Sequence, residues 1–257
     1  MIFLMGGNGF VGSGYARLFT RLNLPFEIIT RQNYDSFIGR ECDLFVNANG
    51  NSVKFMADRE PVAEFDASVR SVMRSLVEIK SAAYIFLSSG DVYPDTTSPA
   101  VTQESQQVDL SKSSRYGLHK AIAETYVRNS HPRSLVMRMG GFVGPGMRKN
   151  AIFDMVNGQP VWLDLDSELT FIGTDTAAEI VYGLYQKGVV NETINMGPRT
   201  PIVLRDVYNR IQCRSEVKAD ARKVRFELNV DKLEASLGAP LPTTAQEIDR
   251  FLTGLSL

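Results

Sequence analysis

Short apolar runs alternate with amphipathic stretches along most of the chain. Residues 2–5 are apolar throughout and read as a buried strand. Residues 10–22 follow as a helix, 26–30 as a second strand and 43–47 as a third. Val62, Phe65, Val69, Val72, Met73, Leu76 and Val77 recur near the helical period, which predicts a long helix over 61–80. Residues 84–88 read as another buried strand, 112–129 as a helix and 134–139 as a strand. Such alternation favours a parallel, doubly wound α/β sheet. Between residues 30 and 43 a full crossover barely fits, so a reduced connection is expected, about one helical turn at 36–38.

The pattern loosens after Gly144-Pro145-Gly146. Short strands are expected at 161–163 and 169–172, a helix at 175–186, a strand at 193–196 and a last helix at 244–252. Two parts follow from this change of rhythm. Residues 1–143 and 171–197 read as a nucleotide-binding domain, and 144–170 with 198–257 as a small, discontinuous substrate-binding domain.

Composition narrows the function classes. The 257 residues are 44% hydrophobic and 22% charged, ordinary for a globular protein, and the formal net charge of -1 offers no basic surplus for nucleic acid or an anionic membrane. Two distant cysteines, Cys42 and Cys213, and two histidines give no disulfide framework and no metal site, which fits a cytoplasmic protein. Neither a signal peptide nor a membrane-spanning run is expected.

The glycines Gly6, Gly9 and Gly12 lie between the first strand and the first helix. Glycine there permits a tight turn and close backbone approach to phosphate, and the helix N-terminus supplies free N–H groups. Asn8, Phe10 and Val11 complete this candidate dinucleotide loop. Where an acidic residue would accept hydrogen bonds from the 2′-hydroxyl of NAD, the chain has Thr30 and Arg31. Arginine suits a 2′-phosphate, so NADP is favoured and NAD stays open.

Tyr116 and Lys120, at i and i+4, share a helix face. A neighbouring ammonium favours the phenolate, and the pair suits proton transfer. Ser88-Ser89-Gly90-Asp91 follows a buried strand, whose end faces the ligand crevice in a parallel sheet. A serine there can hold a carbonyl beside Tyr116. Ser89 lacks the G-x-S-x-G context of a hydrolase nucleophile, and no role is evident for His119 or His131 as its base.

Taken in order, GGNGFVG, FLSSGDVYP, YGLHK and RMGGFVGPG resemble the extended short-chain dehydrogenases/reductases, the NAD(P)-dependent epimerase/dehydratase group. The likeness continues through LTFIGTDTAAEIV and INMGPRTPIVLRDV. It implies a Rossmann-type sheet and a catalytic set of Ser89, Tyr116 as general acid/base, and Lys120 holding the nicotinamide ribose. It also implies Ala48 and Asn49 bordering the cofactor, and 140–143, with Gly141 and Val143, lining its nicotinamide end. The implied reaction is hydride transfer at C4 of a nucleotide-linked sugar, by a homodimer whose long helices pair. Three positions depart from the family pattern: Ser68 and Gly141 stand where asparagines are usual, and Leu169-Thr170-Phe171 replaces R-D-F. Arg148, Lys149 or Asn150 could then bind substrate, as could Gly90 and Asp91. The sequence is also compatible with two other readings, a non-catalytic NADP sensor or partner protein and a reductase of a non-nucleotide ketone.

Overall fold

The computed structural model describes residues 1–50 and 54–255. Among them the chain runs β1 (Ile2–Met5), α1 (Gly12–Arg21), β2 (Phe26–Ile29), β3 (Glu41–Asn47), α2 (Met56–Arg59), α3 (Pro61–Phe65) and α4 (Ser71–Glu78). It continues through β4 (Lys80–Ser89), α5 (Arg115–Ser130), β5 (Ser134–Met139), β6 (Gly141–Val143), α6 (Ala151–Val156), β7 (Val161–Leu163), β8 (Glu168–Leu169), β9 (Phe171–Gly173) and α7 (Thr174–Gln186). The last elements are β10 (Glu192–Met196), β11 (Ile202–Val203), α8 (Leu204–Arg210), β12 (Val217–Arg222), β13 (Arg225–Phe226), α9 (Asp231–Leu237) and α10 (Thr244–Gly254).

Six strands make the central sheet in the order β10-β5-β4-β3-β1-β2, every pairing parallel. The expected doubly wound α/β sheet is therefore present. Side chains alternate across it. Leu4, Ile85, Leu135 and Met137 pack on one face with Tyr15 and Phe19 of α1 and Val181 of α7. Phe3, Phe45, Tyr84, Phe86 and Val136 pack on the other with Val72 of α4 and Ala123 and Val127 of α5. Phe45 and Tyr84 stack with centroids 5.0 Å apart. The chain departs to opposite sides of β1, since β2 and β3 flank it. That reversal opens a crevice at the carboxyl ends of β1 and β3.

The short link between β2 and β3 holds one 3-10 turn, Tyr34–Phe37, two residues earlier than its sequence position suggested. Tyr34 and Phe37 plug the sheet face there in place of a crossover helix. The long helix is interrupted: α3 and α4 are joined by a π-helical turn, Asp66–Arg70, and the helix stops at Glu78 because Lys80 already pairs in β4. Helix α5 begins at Arg115, three residues later than expected, where the Ser114 hydroxyl accepts the N–H of Gly117 (3.1 Å). Residues 169–172 are two strands, not one. Leu169 ends β8, which pairs with β11 and β13, and Phe171 begins β9, which pairs with β6. A third apolar cluster, including Val143, Ile152, Met155, Val161, Leu204, Val207, Ile248 and Leu252, sits in this C-terminal region.

Candidate active site

The glycine loop is built on steric necessity. Gly6 has φ +81, and a Cβ there would lie 2.9 Å from the carbonyl of Ala48 and the amide nitrogen of Asn49. A Cβ on Gly12 would lie 2.2 Å from the Gly6 carbonyl oxygen, and one on Gly9 3.1 Å from the same atom. The loop thus folds so tightly that side chains at these positions would force it open. Helix α1 starts at Gly12 with no side-chain cap and no acidic residue in its first turn. Its positive end is left for an external anion. The residues present fit a dinucleotide pyrophosphate. Phe10 leans edge-on against Phe142, 6.4 Å between centroids, so the loop also touches the segment after β5.

At the end of β2, Thr30 is tied down: its N–H and hydroxyl both donate to Asn33 Oδ1 (2.7 and 3.1 Å). Arg31 is exposed and makes no salt bridge or side-chain hydrogen bond among the described residues. Asn49 is half-buried, with its side-chain amide donating to Ser71 Oγ (3.1 Å) and the Ala67 carbonyl (3.4 Å). It borders the loop by its backbone while its side chain anchors the π-turn.

Gly50 also comes close to α5. A Cβ on Gly50 would lie 3.0 Å from Lys120 Nζ. Lys120 is buried, donates to the Leu87 carbonyl (3.3 Å), and lies 5.1 Å from the Phe86 ring and 6.0 Å from that of Tyr116. Gly117 sets the approach of α5 to the end of β4, since a Cβ there would meet the Asp91 carbonyl oxygen at 2.0 Å. Ser89, the last residue of β4, donates to Asp91 Oδ2 (2.7 Å) and accepts the Asp91 N–H (3.2 Å). Asp91 also pairs with Lys54 (2.7 Å). Ser89, Tyr116 and Lys120 therefore meet at one edge of the crevice.

The electrostatics depart from expectation. Burial pushes the Tyr116 phenol well above its ordinary value, and the charges of Asp91 and Glu64 push it further, against the Ser89 hydroxyl. Burial likewise pulls the Lys120 ammonium down to about 8, against the charges of Glu64, Glu124 and Asp91. Desolvation outweighs the mutual help anticipated for the pair, and it favours the protonated phenol.

Several candidate residues have other occupations. Val143 is fully buried in the C-terminal apolar cluster, so its side chain does not face the crevice. Asn150 caps α6, accepting the Phe153 N–H (2.9 Å) and donating to the Phe142 carbonyl (2.8 Å). Gly141 has no room for the family asparagine: a Cβ would sit 2.5 Å from the Thr170 carbonyl oxygen. Arg148 is exposed, without a side-chain hydrogen bond among the described residues. Gly90 faces Phe226, whose ring lies 2.9 Å from the place a Cβ would take. Phe226 and Lys54 are crevice residues that no sequence motif announced; Lys54 Nζ sits 6.0 Å from the Phe226 ring.

Beyond the crevice, Glu124 of α5 is buried against Arg138 (2.8 Å), Arg128 (3.1 Å) and the Ser88 hydroxyl (2.6 Å). This network floors a cavity of about 730 Å³ lined by Glu104, Thr125, Thr193 and Lys232. Among the described residues, no group of three or more His, Cys, Asp or Glu could hold a metal, and no helix is long and apolar enough to cross a membrane.

The comparisons with known proteins agree with this architecture. A UDP-galactose 4-epimerase structure is 19% identical, with a TM-score of 0.77 over 99% of this chain and 98% of its own. The UDP-glucuronic acid 4-epimerase of Bacillus cereus, in complex with a UDP-sugar and NAD, is 17% identical, with a TM-score of 0.77 over 97% of each chain. The dTDP-4-dehydrorhamnose reductase of Bacillus anthracis str. Ames, in complex with NADP, is 12% identical, with a TM-score of 0.79 over 98% of this chain and 97% of that one. At such identities the likeness establishes the fold. No curated protein matches by sequence. The sequence model of the NAD dependent epimerase/dehydratase family, however, matches residues 2–197, most of the chain. The chain belongs to the NAD dependent epimerase/dehydratase family.

Proposed function

We propose that the protein is an NADP- or NAD-dependent ketoreductase or epimerase acting at a C4-like carbonyl of a nucleotide-linked sugar. The observation that carries this reading is the convergence of Ser89, Tyr116 and Lys120 at the carboxyl end of β4, with Gly50 linking them to the glycine loop. A bound nicotinamide supplies the hydride. Tyr116 donates its phenolic proton to the carbonyl oxygen, and its elevated proton affinity keeps that proton in place at neutral pH. Ser89 orients the oxygen once its hydroxyl turns from Asp91. Lys120 holds the ribose hydroxyls and offsets charge on the phenolate. Residues 144–170 and 198–257 would form the substrate side of the crevice.

The experiment is an assay of NADPH consumption against a panel of keto-sugar nucleotides and simple ketones. Turnover on the first group is expected. Tyr116→Phe should lower it by about 10²–10⁴ while nicotinamide fluorescence still reports binding. Turnover confined to simple ketones sinks the substrate class, and full activity in Tyr116→Phe sinks the catalytic assignment.

Arg31, exposed at the end of β2 without an ion-pair partner among the described residues, supports NADP as the preferred cofactor and, with it, net reduction. Fluorescence titration should give tighter binding of NADPH than of NADH, and Arg31→Ala should erase the difference. Equal affinities in the unaltered protein refute the role of Arg31. The exposed apolar side chains of α3, α4 and α5 further support a homodimer.

A further inference from the structure

Two adjacent strands of the central sheet run into glycine where they reach the crevice. Ser89 of β4 pairs with Met139 of β5, and Gly90 and Gly140 follow them. Both glycines meet the same ring. Cζ of Phe226 lies 2.9 Å from the place a Gly90 Cβ would take, and its Cε1 lies 3.7 Å from the corresponding place at Gly140. Leu228 packs beside the ring, 3.0 Å from the same point at Gly90. The Phe226 ring therefore lies across the carboxyl ends of β4 and β5, next to the residue that follows Ser89.

Main-chain bonds on both sides hold this ring in place. Phe226 pairs with Leu169 of β8, and its carbonyl accepts the Thr170 hydroxyl (3.4 Å). On the other side, the Glu227 N–H donates to the Thr96 carbonyl (2.8 Å). The buried Thr102 hydroxyl donates to the Glu227 carbonyl (3.2 Å) and accepts the Asn229 N–H (2.8 Å). Leu228 is buried, whereas Phe226 is only half-buried, so part of its apolar surface stays open. Lys54 Nζ stands 6.0 Å from the ring centroid and is bound to Asp91 (2.7 Å), so these two charges beside the ring satisfy each other.

We propose that Phe226 is a specificity-determining residue: a fixed apolar wall that meets the substituent on the carbon next to the reacting carbonyl and favours a methyl there over a hydroxymethyl. This deepens the functional reading above and rests on Ser89 and Tyr116 receiving the carbonyl oxygen. With that oxygen at Ser89, the groups flanking the carbonyl carbon are the part of the substrate that reaches Gly90 and the ring. Of the two carbons beside C4 of a hexose, C5 alone carries a carbon substituent, C6. A hydroxyl on C6 pressed against the ring loses water and gains no partner from it, whereas a methyl is transferred favourably. The substrate class is thus a nucleotide-linked 6-deoxyhexose.

The test is calorimetric titration of the full-length protein, with NADPH or NADH present, by UDP-, dTDP- and GDP-linked sugars in matched pairs. The members of a pair differ only at C6, methyl in one and hydroxymethyl in the other. Neither has a carbonyl, so the reduced cofactor does not consume it. In a pair that binds, the methyl member should bind about 10- to 100-fold more tightly. Phe226→Ala removes the wall and should bring the two within about threefold of each other, with NADPH affinity unchanged. If Phe226→Ala does not fold, Phe226→Gln keeps the length and offers the hydroxyl a partner, and the same narrowing is expected. A residue with a purely structural role would weaken both members alike. Equal affinities in the unaltered protein, or a preference that persists in whichever variant folds, overturn the proposal and leave the nucleotide-sugar reading standing. Binding of no pair removes that reading and the proposal with it.

Discussion

Tyr116 and Lys120 share a helix face, and burial drives both toward their neutral forms. For the lysine this has a thermodynamic consequence. Its value in the folded protein, about 8, lies below the ordinary 10.5. Between those two values the unfolded chain holds the extra proton, so this group's contribution makes stability rise with pH across that window. Urea unfolding of the apoprotein at pH 7.5 and 9.5 should show the gain, and Lys120→Met should remove it and stabilise the protein at pH 7.5 by at least about 1 kcal/mol. A lysine variant less stable than the parent at pH 7.5 contradicts this account. That Ser89, Tyr116 and Lys120 lie together at the end of β4 was legible in the sequence because a strand end and an i, i+4 spacing are local facts. The contact of Glu64 with His119 was not, because it crosses from one helix to another and neither residue belongs to a phosphate or strand-end motif. Asn150 shows the converse: its polarity and position suggested a ligand, but its side chain is spent on a helix cap.

Single glycines set how closely the elements approach, and they separate binding from turnover. A methyl on Gly12 meets the Gly6 carbonyl, and one on Gly117 meets the Asp91 carbonyl, both against backbone that has little room to move. Gly12→Ala should abolish NADPH binding. Gly117→Ala should pry α5 from the end of β4, lowering turnover more than cofactor binding. Each should destabilise by about 1–3 kcal/mol. Gly183, inside α7, has nothing within 4 Å of its Cβ position, so Gly183→Ala should instead stabilise by about 0.5–1 kcal/mol. Thermal unfolding and fluorescence titration of the three variants check the ordering, and a Gly12→Ala protein that binds NADPH normally refutes the cradle. The long strands and helices were readable from periodicity. The C-terminal elements were less so, because strands of two or three residues carry almost no period: β8 and β9 are adjacent in sequence yet pair in different sheets. The π-turn left no mark in the apolar pattern either, since one extra residue per turn shifts the stripe by less than its own width.

At the scale of the whole molecule, the central sheet is covered on both faces, yet α3 and α4 still present apolar side chains outward. Val62 is 75% exposed and Val77 71%, with Phe65 and Met73 between them and Ile122 on the adjoining α5. Isolated exposed valines need no explanation, but five large apolar residues on helices that pack together make a patch. A second copy offers a matching surface, because a two-fold contact sets a patch against itself. These same helices carry Tyr116 and Lys120, so pairing them across a two-fold axis would steady the segment that holds both side chains. Sedimentation equilibrium at tens of micromolar should therefore give a dimer. Val62→Asp/Val77→Asp places charge in the patch and should yield a folded monomer whose turnover drops more than its NADPH affinity, since the glycine loop lies on other elements. A parent protein that sediments as a monomer removes the dimer. A variant monomer with undiminished turnover removes the proposed link between pairing and α5.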